Sequence, residues 1–373
     1  MSRGWRRGRG PAPAGVPGPG GLLSGLRVLD LTVWRPGPYA TQLLAEIGAD
    51  VIKVEPPGGD PMRAYPELFA SLNVNKRSVV LDLKELSGRR RLLELAADAD
   101  VVVEGFRPGV VRRLGVGYED VRAVNPTVVY CSVSGMGQTG PLSLAPGHDL
   151  NYQAWAGALA PEGGPAVVPA LPVADLAGGM AAALAMCAAA FRRLRTGEGE
   201  RIDAAMADVL ATWTGADRPQ AAGVEQPVPG VPGYGTFEAG DGLPLVLGVL
   251  TEDHFWRSLC DVLGLARDRD LGFTERMKHV VELQGRIAVA IAGRGRDELV
   301  ADLLAADVPG APVLDRQGML RSDHLRERGV VTADPWNEVA TGYPVRFEVH
   351  PAARDSAAPT PDQNRGEGFL PRA

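Results

Sequence analysis

Short apolar strand phrases alternate with helical ones through the first half of the chain, and this alternation restricts the fold more than any other feature. Leu26-Arg-Val-Leu-Asp-Leu31 reads as a strand, followed by the turn Arg35-Pro-Gly-Pro38. A helical pattern from Tyr39 to Ile47 stops at Gly48, a residue type suited to ending a helix. Val51-Ile-Lys-Val54 is the next strand, ended by Glu55-Pro-Pro-Gly-Gly59. Residues 78–83, 101–103 and 128–133 are further strands, and residues 88–97 a helix. Strands and helices joined by short connections mark parallel βαβ units. The expected fold class is α/β, with a large doubly wound, Rossmann-like domain over residues 22–205. A ligand of such a domain sits beyond the carboxyl ends of its strands.

The remainder is organised differently. Residues 223–232 are rich in Gly, Pro and Val and read as a linker. Residues 245–249 then form a strand, 255–263 an amphipathic helix and 286–305 more helix, so 206–330 is expected to hold the linker and a smaller α+β domain. Residues 331–373 are expected to return to the large domain, with a polar, Pro-rich tail after Ser356 that frays. Residues 1–21 are rich in Arg, Pro and Gly and lack an apolar run, which predicts a disordered leader.

Bulk properties narrow the function. The formal net charge of −6 excludes a global basic field for nucleic acid or an anionic membrane. Cys131, Cys187 and Cys260 are widely spaced in apolar surroundings, which fits reduced core thiols and neither a disulfide frame nor a metal site. The longest apolar stretch, near residues 171–191, includes Asp175 and is too short and interrupted to span a bilayer. A soluble, cytoplasmic protein without a membrane or nucleic-acid partner is expected.

No P-loop, HExxH, CxxC or GxSxG phrase occurs. One GxGxxG does, at Gly135-Met-Gly-Gln-Thr-Gly140, but it runs into a segment bracketed by Pro141 and Pro146 where a dinucleotide site needs a helix. More specific are several ordered blocks. They are residues 35–56 (Arg-Pro-Gly-Pro-Tyr-Ala to Lys-Val-Glu-Pro) and 73–84 (Asn-Val-Asn-Lys-Arg-Ser to Asp-Leu-Lys). Glu104-Gly-Phe-Arg-Pro-Gly109, Ser134-Gly-Met-Gly-Gln-Thr-Gly-Pro141, Gly147-His-Asp-Leu-Asn-Tyr152 and Pro172-Val-Ala-Asp-Leu-Ala-Gly-Gly179 follow. Together they resemble the family III CoA-transferase (CaiB/BaiF) superfamily, and the Gly-His-Asp phrase resembles its alpha-methylacyl-CoA racemase branch.

The resemblance implies a CoA-binding large domain, a smaller domain and an interlocked homodimer, with the site shared between the two chains. It implies an acyl-CoA thioester as substrate and no cofactor beyond CoA. CoA carries three phosphate groups, so local cations are expected to bind it, Arg above all for its bidentate contacts. Arg35, Lys53, Arg77, Lys84 and Arg107 lie at or near strand ends. Gly147, Asp149, Asn75 and Asn151 join them as candidate substrate-binding residues. The third block departs from the family pattern, with Gly105 where an asparagine is usual.

Three residues are candidates for catalysis. His148 opens a helix after Pro146, where an imidazole can face a cleft near its working pKa. Asp175 matches the aspartate that transferases use as nucleophile and racemases use as an acid/base group. It also stands where an N-cap would, a role that would lower its pKa. Glu252 lies in a phrase one residue longer than that of the racemases, and either pairs with His148 or starts a helix. The first expectation is an acyl-CoA racemase that inverts the α-carbon of a 2-methylacyl-CoA or similar thioester by two-base proton abstraction and return. The alternative is transfer of CoA between carboxylic acids through an Asp175 anhydride and thioester. A non-catalytic acyl-CoA-binding protein is the third.

Overall fold

The computed structural model describes residues 20–159, 168–216, 230–334 and 336–372. The expected leader before Gly20, and the linker before Gly230, lie outside the described residues. The chain forms two compact units, Met1–Pro219 with Val330–Ala373, and Gln220–Gly329.

In the first unit six strands build one sheet. They are β1 (Arg27–Leu31), β2 (Asp50–Glu55), β3 (Lys76–Val80), β4 (Val101–Glu104), β5 (Val129–Ser134) and β6 (Glu200–Ala205), in the order β3-β2-β1-β4-β5-β6. Every neighbouring pair is parallel. The helices are α1 (Gly37–Glu46), α2 (Pro66–Asn73), α3 (Leu86–Asp98), α4 (Val110–Leu114), α5 (Tyr118–Val124), α6 (Asp149–Trp155), α7 (Val173–Thr196) and α8 (Met206–Ala216). A parallel sheet is covered on both faces, which is why its strands read as unbroken apolar runs. Val28, Val51, Val101 and Val103 pack with Ala40, Leu44 and Met186 in one layer. Leu29, Ile52, Val102 and Tyr130 pack with Leu92, Leu95 and Val121 in the other. The strand order reverses between β1 and β4, and a crevice opens there at the carboxyl ends.

Helix α7 is 24 residues long, so it is longer than the apolar stretch suggested and long enough by composition to cross a membrane. Half of its most apolar window is buried inside the protein, as in a core helix. Gly178 and Gly179 explain its position. A Cβ on Gly179 would lie 2.9 Å from the Pro36 carbonyl oxygen and from the Tyr39 ring, and one on Gly178 would lie 2.6 Å from Met206 Cγ. Residues three and four apart share a helix face, so this close approach also turns Asp175 toward the loop of Arg35 and Pro36. Helix α8 packs Met206, Ala207 and Leu210 against Tyr152, Ala174 and Ala177. The first unit therefore extends beyond the expected boundary at 205.

The polar C-terminal segment, expected to fray, is instead held along β3. The Val80 N–H donates to Asp362 Oδ1 at 2.9 Å, and the Ser78 N–H to Asn364 Oδ1 at 3.1 Å. The Asn364 N–H returns a bond to the Ser78 carbonyl at 2.9 Å. Since β3 is an edge strand, its open backbone groups are covered by side chains that look like loop residues in sequence.

The second unit contains an antiparallel sheet of β7 (Tyr234–Glu238), β8 (Pro244–Gly248) and β9 (Gly310–Pro312). Around it lie α9 (Asp253–Leu263), α10 (Phe273–Arg276), α11 (Val280–Ala292) and α12 (Arg296–Ala305). Trp256, Leu259, Leu283, Ile287, Leu299 and Leu303 form its core.

Candidate active site

A cleft of about 920 Å3 opens at the carboxyl ends of β1, β4 and β5. Its walls are the loop after β1 (Thr32, Trp34, Arg35), the loop after β4 (Gly105, Phe106, Arg107), the end of β5 (Ser134, Gly135) and the entrances of α6 and α7 (His148, Asn151, Asp175). That volume suits a small-molecule substrate.

His148 is the exposed N-cap residue of α6, and its backbone N–H donates to Asn151 Oδ1 at 3.0 Å. Asp149 then ties two helices together. Its Oδ2 accepts from Gln153 Nε2 within α6 at 2.5 Å, and its Oδ1 accepts the backbone N–H of Asp175 at 3.0 Å. Asp175 is thus not the cap of α7. Pro172 holds that position, Asp175 lies in the first turn, and the carboxylate serving that turn belongs to Asp149. The expected lowering of its pKa is reversed. Burial pushes the Asp175 carboxyl up from 3.8 to about 7, the neighbouring Asp149 charge adds to the rise, and Arg35 opposes it.

Tyr152 shapes the floor. Its hydroxyl donates to the Gly147 carbonyl at 2.6 Å. A Cβ on Gly135 would stand 2.2 Å from its ring, and one on Gly147 would stand 2.8 Å away. Those two glycines of the sequence blocks are therefore needed for room around an aromatic side chain. Gly105 differs, because a Cβ there would meet nothing nearer than Thr32 at 3.7 Å. The missing asparagine leaves open space in the crevice.

Among the expected site residues, the cleft gathers Arg35, Arg107, Gly147, His148, Asn151 and Asp175, with Asp149 in support. The Nε of Arg35 is buried without a hydrogen-bond partner among the described residues. Five others are elsewhere. Lys53 is fully buried beneath the cleft, paired with Asp60 at 2.7 Å. Asn75 bonds the backbone of residues 353, 355 and 356. Arg77 forks onto Asp50 at 2.7 and 2.8 Å and onto the Gly368 carbonyl at 2.8 Å, at the amino ends of the strands. Lys84 is exposed and does not line the cleft. Glu252 lies in the second unit at the N-cap of α9, where its Oε2 accepts the Leu250 N–H at 3.3 Å. Sequence reasoning missed Tyr152, Thr32 and Met206 as lining residues. Tyr152 carried a signal, an aromatic four residues after His148 with glycines at both places its ring must pass.

A doubly wound sheet with a poorly solvated carboxyl and arginines at its switch point defines an α/β enzyme acting at the carboxyl edge of the sheet. The profile of CoA-transferase family III matches residues 23–365, and the chain belongs to that family. It is 36% identical to the acetyl-CoA:oxalate CoA-transferase of Acetobacter aceti, over 80% of this chain and 82% of that protein. It is 34% identical to the succinyl-CoA:mesaconate CoA-transferase of Haloarcula hispanica, over 93% and 95%, and 33% identical to the human alpha-methylacyl-CoA racemase, over 82% and 81%. The crystal structure of a CAIB/BAIF family protein from Brucella suis superposes with a TM-score of 0.80 at 28% identity, covering 92% of this chain and 97% of that one.

Proposed function

We propose that this enzyme moves CoA between carboxylic acids, with Asp175 as the group that carries it. The carrying observation is the Asp175 carboxyl, set in the cleft among poorly solvating walls and facing the charge of Arg35. The similarity to several CoA-transferases along most of the chain supports it. The racemase reading that the sequence put first becomes the second.

The chemistry balances without an outside reagent. The ionised Asp175 attacks the thioester carbonyl, the C–S bond breaks, and an acyl–aspartyl anhydride forms with CoA thiolate released. The thiolate attacks the aspartyl carbonyl, giving an aspartyl-CoA thioester and the free first acid. A second carboxylate repeats the two steps in reverse and leaves as its CoA thioester, restoring Asp175. Arg35 and Arg107 are assigned to the anionic portion of CoA, Gly147 and Asn151 to the thioester end. No cofactor beyond CoA enters this scheme.

His148 favours α-proton exchange as the second reading. It lines the same cleft as Asp175, and a carboxyl of pKa about 7 both takes and returns protons at neutral pH. The test is one incubation in deuterated water with a chiral 2-methylacyl-CoA and an isotope-labelled second acid. Label appearing in the CoA thioester pool, lost in Asp175→Ala, supports transfer. Deuterium at the α-carbon without label exchange replaces it by the racemase.

The homodimer belongs to this proposal. Met180, Leu184, Phe191 and Leu194, with half-buried Cys187, form a stripe along α7 at spacings of four and three, and the four larger residues are exposed. A second copy is the partner whose apolar surface suits it. Three free thiols fit a reducing, cytoplasmic compartment.

A further inference from the structure

We propose that Lys53 and Lys76 are positioning residues that clamp the two ends of the Thr32–Pro38 loop and thereby aim Arg35 into the cleft; this rests on the reading that Arg35 contacts the anionic portion of CoA. Both ammonium groups are buried, yet neither reaches the cleft. Lys53 Nζ donates to the carbonyl of Thr32 at 2.8 Å, where the loop leaves β1. Lys76 Nζ donates to the carbonyl of Pro38 at 2.9 Å, where the loop enters α1. Arg35 lies midway between these two fixed carbonyls.

The surrounding groups complete the clamp. Asp30 Oδ1 accepts both the N–H and the hydroxyl of Thr32, at 2.9 and 2.5 Å. Asp30 Oδ2 accepts from Thr41 at 2.6 Å and from Lys76 at 3.2 Å. Lys76 is completed by Asn73 Oδ1 at 2.9 Å, and Lys53 by Asp60. Burying two ammonium groups is costly, and each spends a hydrogen bond on a carbonyl of this one loop. Between the fixed ends, Trp34 adopts a φ of 58°, a left-handed conformation that a bulky side chain keeps only where its surroundings impose it. A loop held this way presents the Arg35 guanidinium in one direction and leaves little to order when ligand binds.

The test uses CoA itself as probe and compares three proteins with the wild type: Arg35→Met, the charge-free pair Lys53→Met/Asp60→Asn, and all three changes together. Changing the pair together leaves no unpaired buried charge. Arg35→Met is expected to weaken CoA binding by about tenfold. The pair is expected to weaken it by a similar factor, and the triple variant to be no weaker than Arg35→Met, because the pair acts through Arg35. Amide hydrogen exchange over residues 33–37 is expected to accelerate in the pair while the β1 and β4 amides stay protected. Multiplying factors, unchanged binding by the pair, unchanged loop exchange, or an Arg35→Met that binds normally would each overturn the proposal. Should the first pair not fold, Lys76→Met/Asp30→Asn makes the same comparison by releasing the Pro38 end together with the Asp30 bonds to Thr32. A wild type that does not bind CoA defeats the functional reading instead, and loop exchange in the pair then still decides whether the clamp exists.

Discussion

Asp149 Oδ1 accepts the backbone N–H of Asp175 at 3.0 Å, so a carboxylate of α6 serves the first turn of α7. This bond places His148, the residue before Asp149, and Asp175 at one cleft although 26 positions separate the bonded pair. It also puts a second negative charge beside the carboxyl proposed to react.

That arrangement predicts a shift in the pH profile. Asp149→Asn keeps an acceptor for the Asp175 N–H and removes the charge that helps to raise the Asp175 pKa. The pH midpoint of transfer is expected to move to lower pH in this variant, with the maximal rate reduced severalfold at most. Asp149→Ala removes the acceptor as well and is expected to cost about 1 kcal/mol of stability. Rate profiles from pH 5 to 9, beside urea unfolding, separate the two effects.

Asp175 itself links activity and stability with opposite signs. Asp175→Asn is expected to lower transfer by about a thousandfold or more. For stability, the folded pKa of about 7 lies above the ordinary 3.8. The folded state therefore disfavours the ionised form. The penalty is absent below pH 3.8, grows as pH rises toward 7 and is constant above it. A dry site would make this about 4 kcal/mol, but the carboxyl is only partly buried, so roughly 1–2 kcal/mol is expected. Asp175→Asn should accordingly melt higher than the wild type at pH 8 and show little difference near pH 4. A wild type more stable than the variant at pH 8 would contradict the burial argument.

Two glycines in neighbouring loops are predicted to behave oppositely. Gly135→Ala drives a Cβ to 2.2 Å from the Tyr152 ring, which is expected to cost about 2–3 kcal/mol and to distort the floor of the cleft. Gly105→Ala finds its nearest neighbour at 3.7 Å and is expected to change stability by less than about 0.5 kcal/mol. Urea midpoints of the two variants check this contrast directly.

The sequence was informative where periodicity and turn chemistry act locally. Strands such as Val101-Val-Val103 were legible because a sheet covered on both faces demands unbroken apolar runs. Their carboxyl ends pointed to the cleft, the Gly-His-Asp phrase to His148, and the block Pro172-Val-Ala-Asp-Leu-Ala-Gly-Gly179 to Asp175. The direction in which a charged side chain leaves a strand was not legible. Lys53, flanked by Ile52 and Val54, looks like a cation near a strand end, yet it points into a buried ion pair. Arg77 resembles a phosphate ligand, yet the register of β3 against β2 sets it beside Asp50 at the wrong end of the sheet. The Asp175 pKa was misread for a similar reason, because the helix start was placed at Asp175 when it begins at Val173.

The C-terminal segment gives the last prediction. Asp362 and Asn364 fill the donors of Val80 and Ser78 on edge strand β3, and the Gly368 carbonyl accepts from Arg77. Leu370 adds its backbone N–H to Asp50 Oδ2 at 2.7 Å. A chain ending at Ser356 would lose these bonds and open the edge. At about 1 kcal/mol for each net hydrogen bond, the loss is expected to be roughly 3–4 kcal/mol. Such an edge also pairs with other chains, so concentration-dependent association should accompany it. Urea unfolding and light scattering of the shortened protein, beside the full chain, test both effects. Normal stability together with an unchanged mass would mean that the segment lies on β3 without supporting it, and Asp362→Ala with Asn364→Ala should then also be silent.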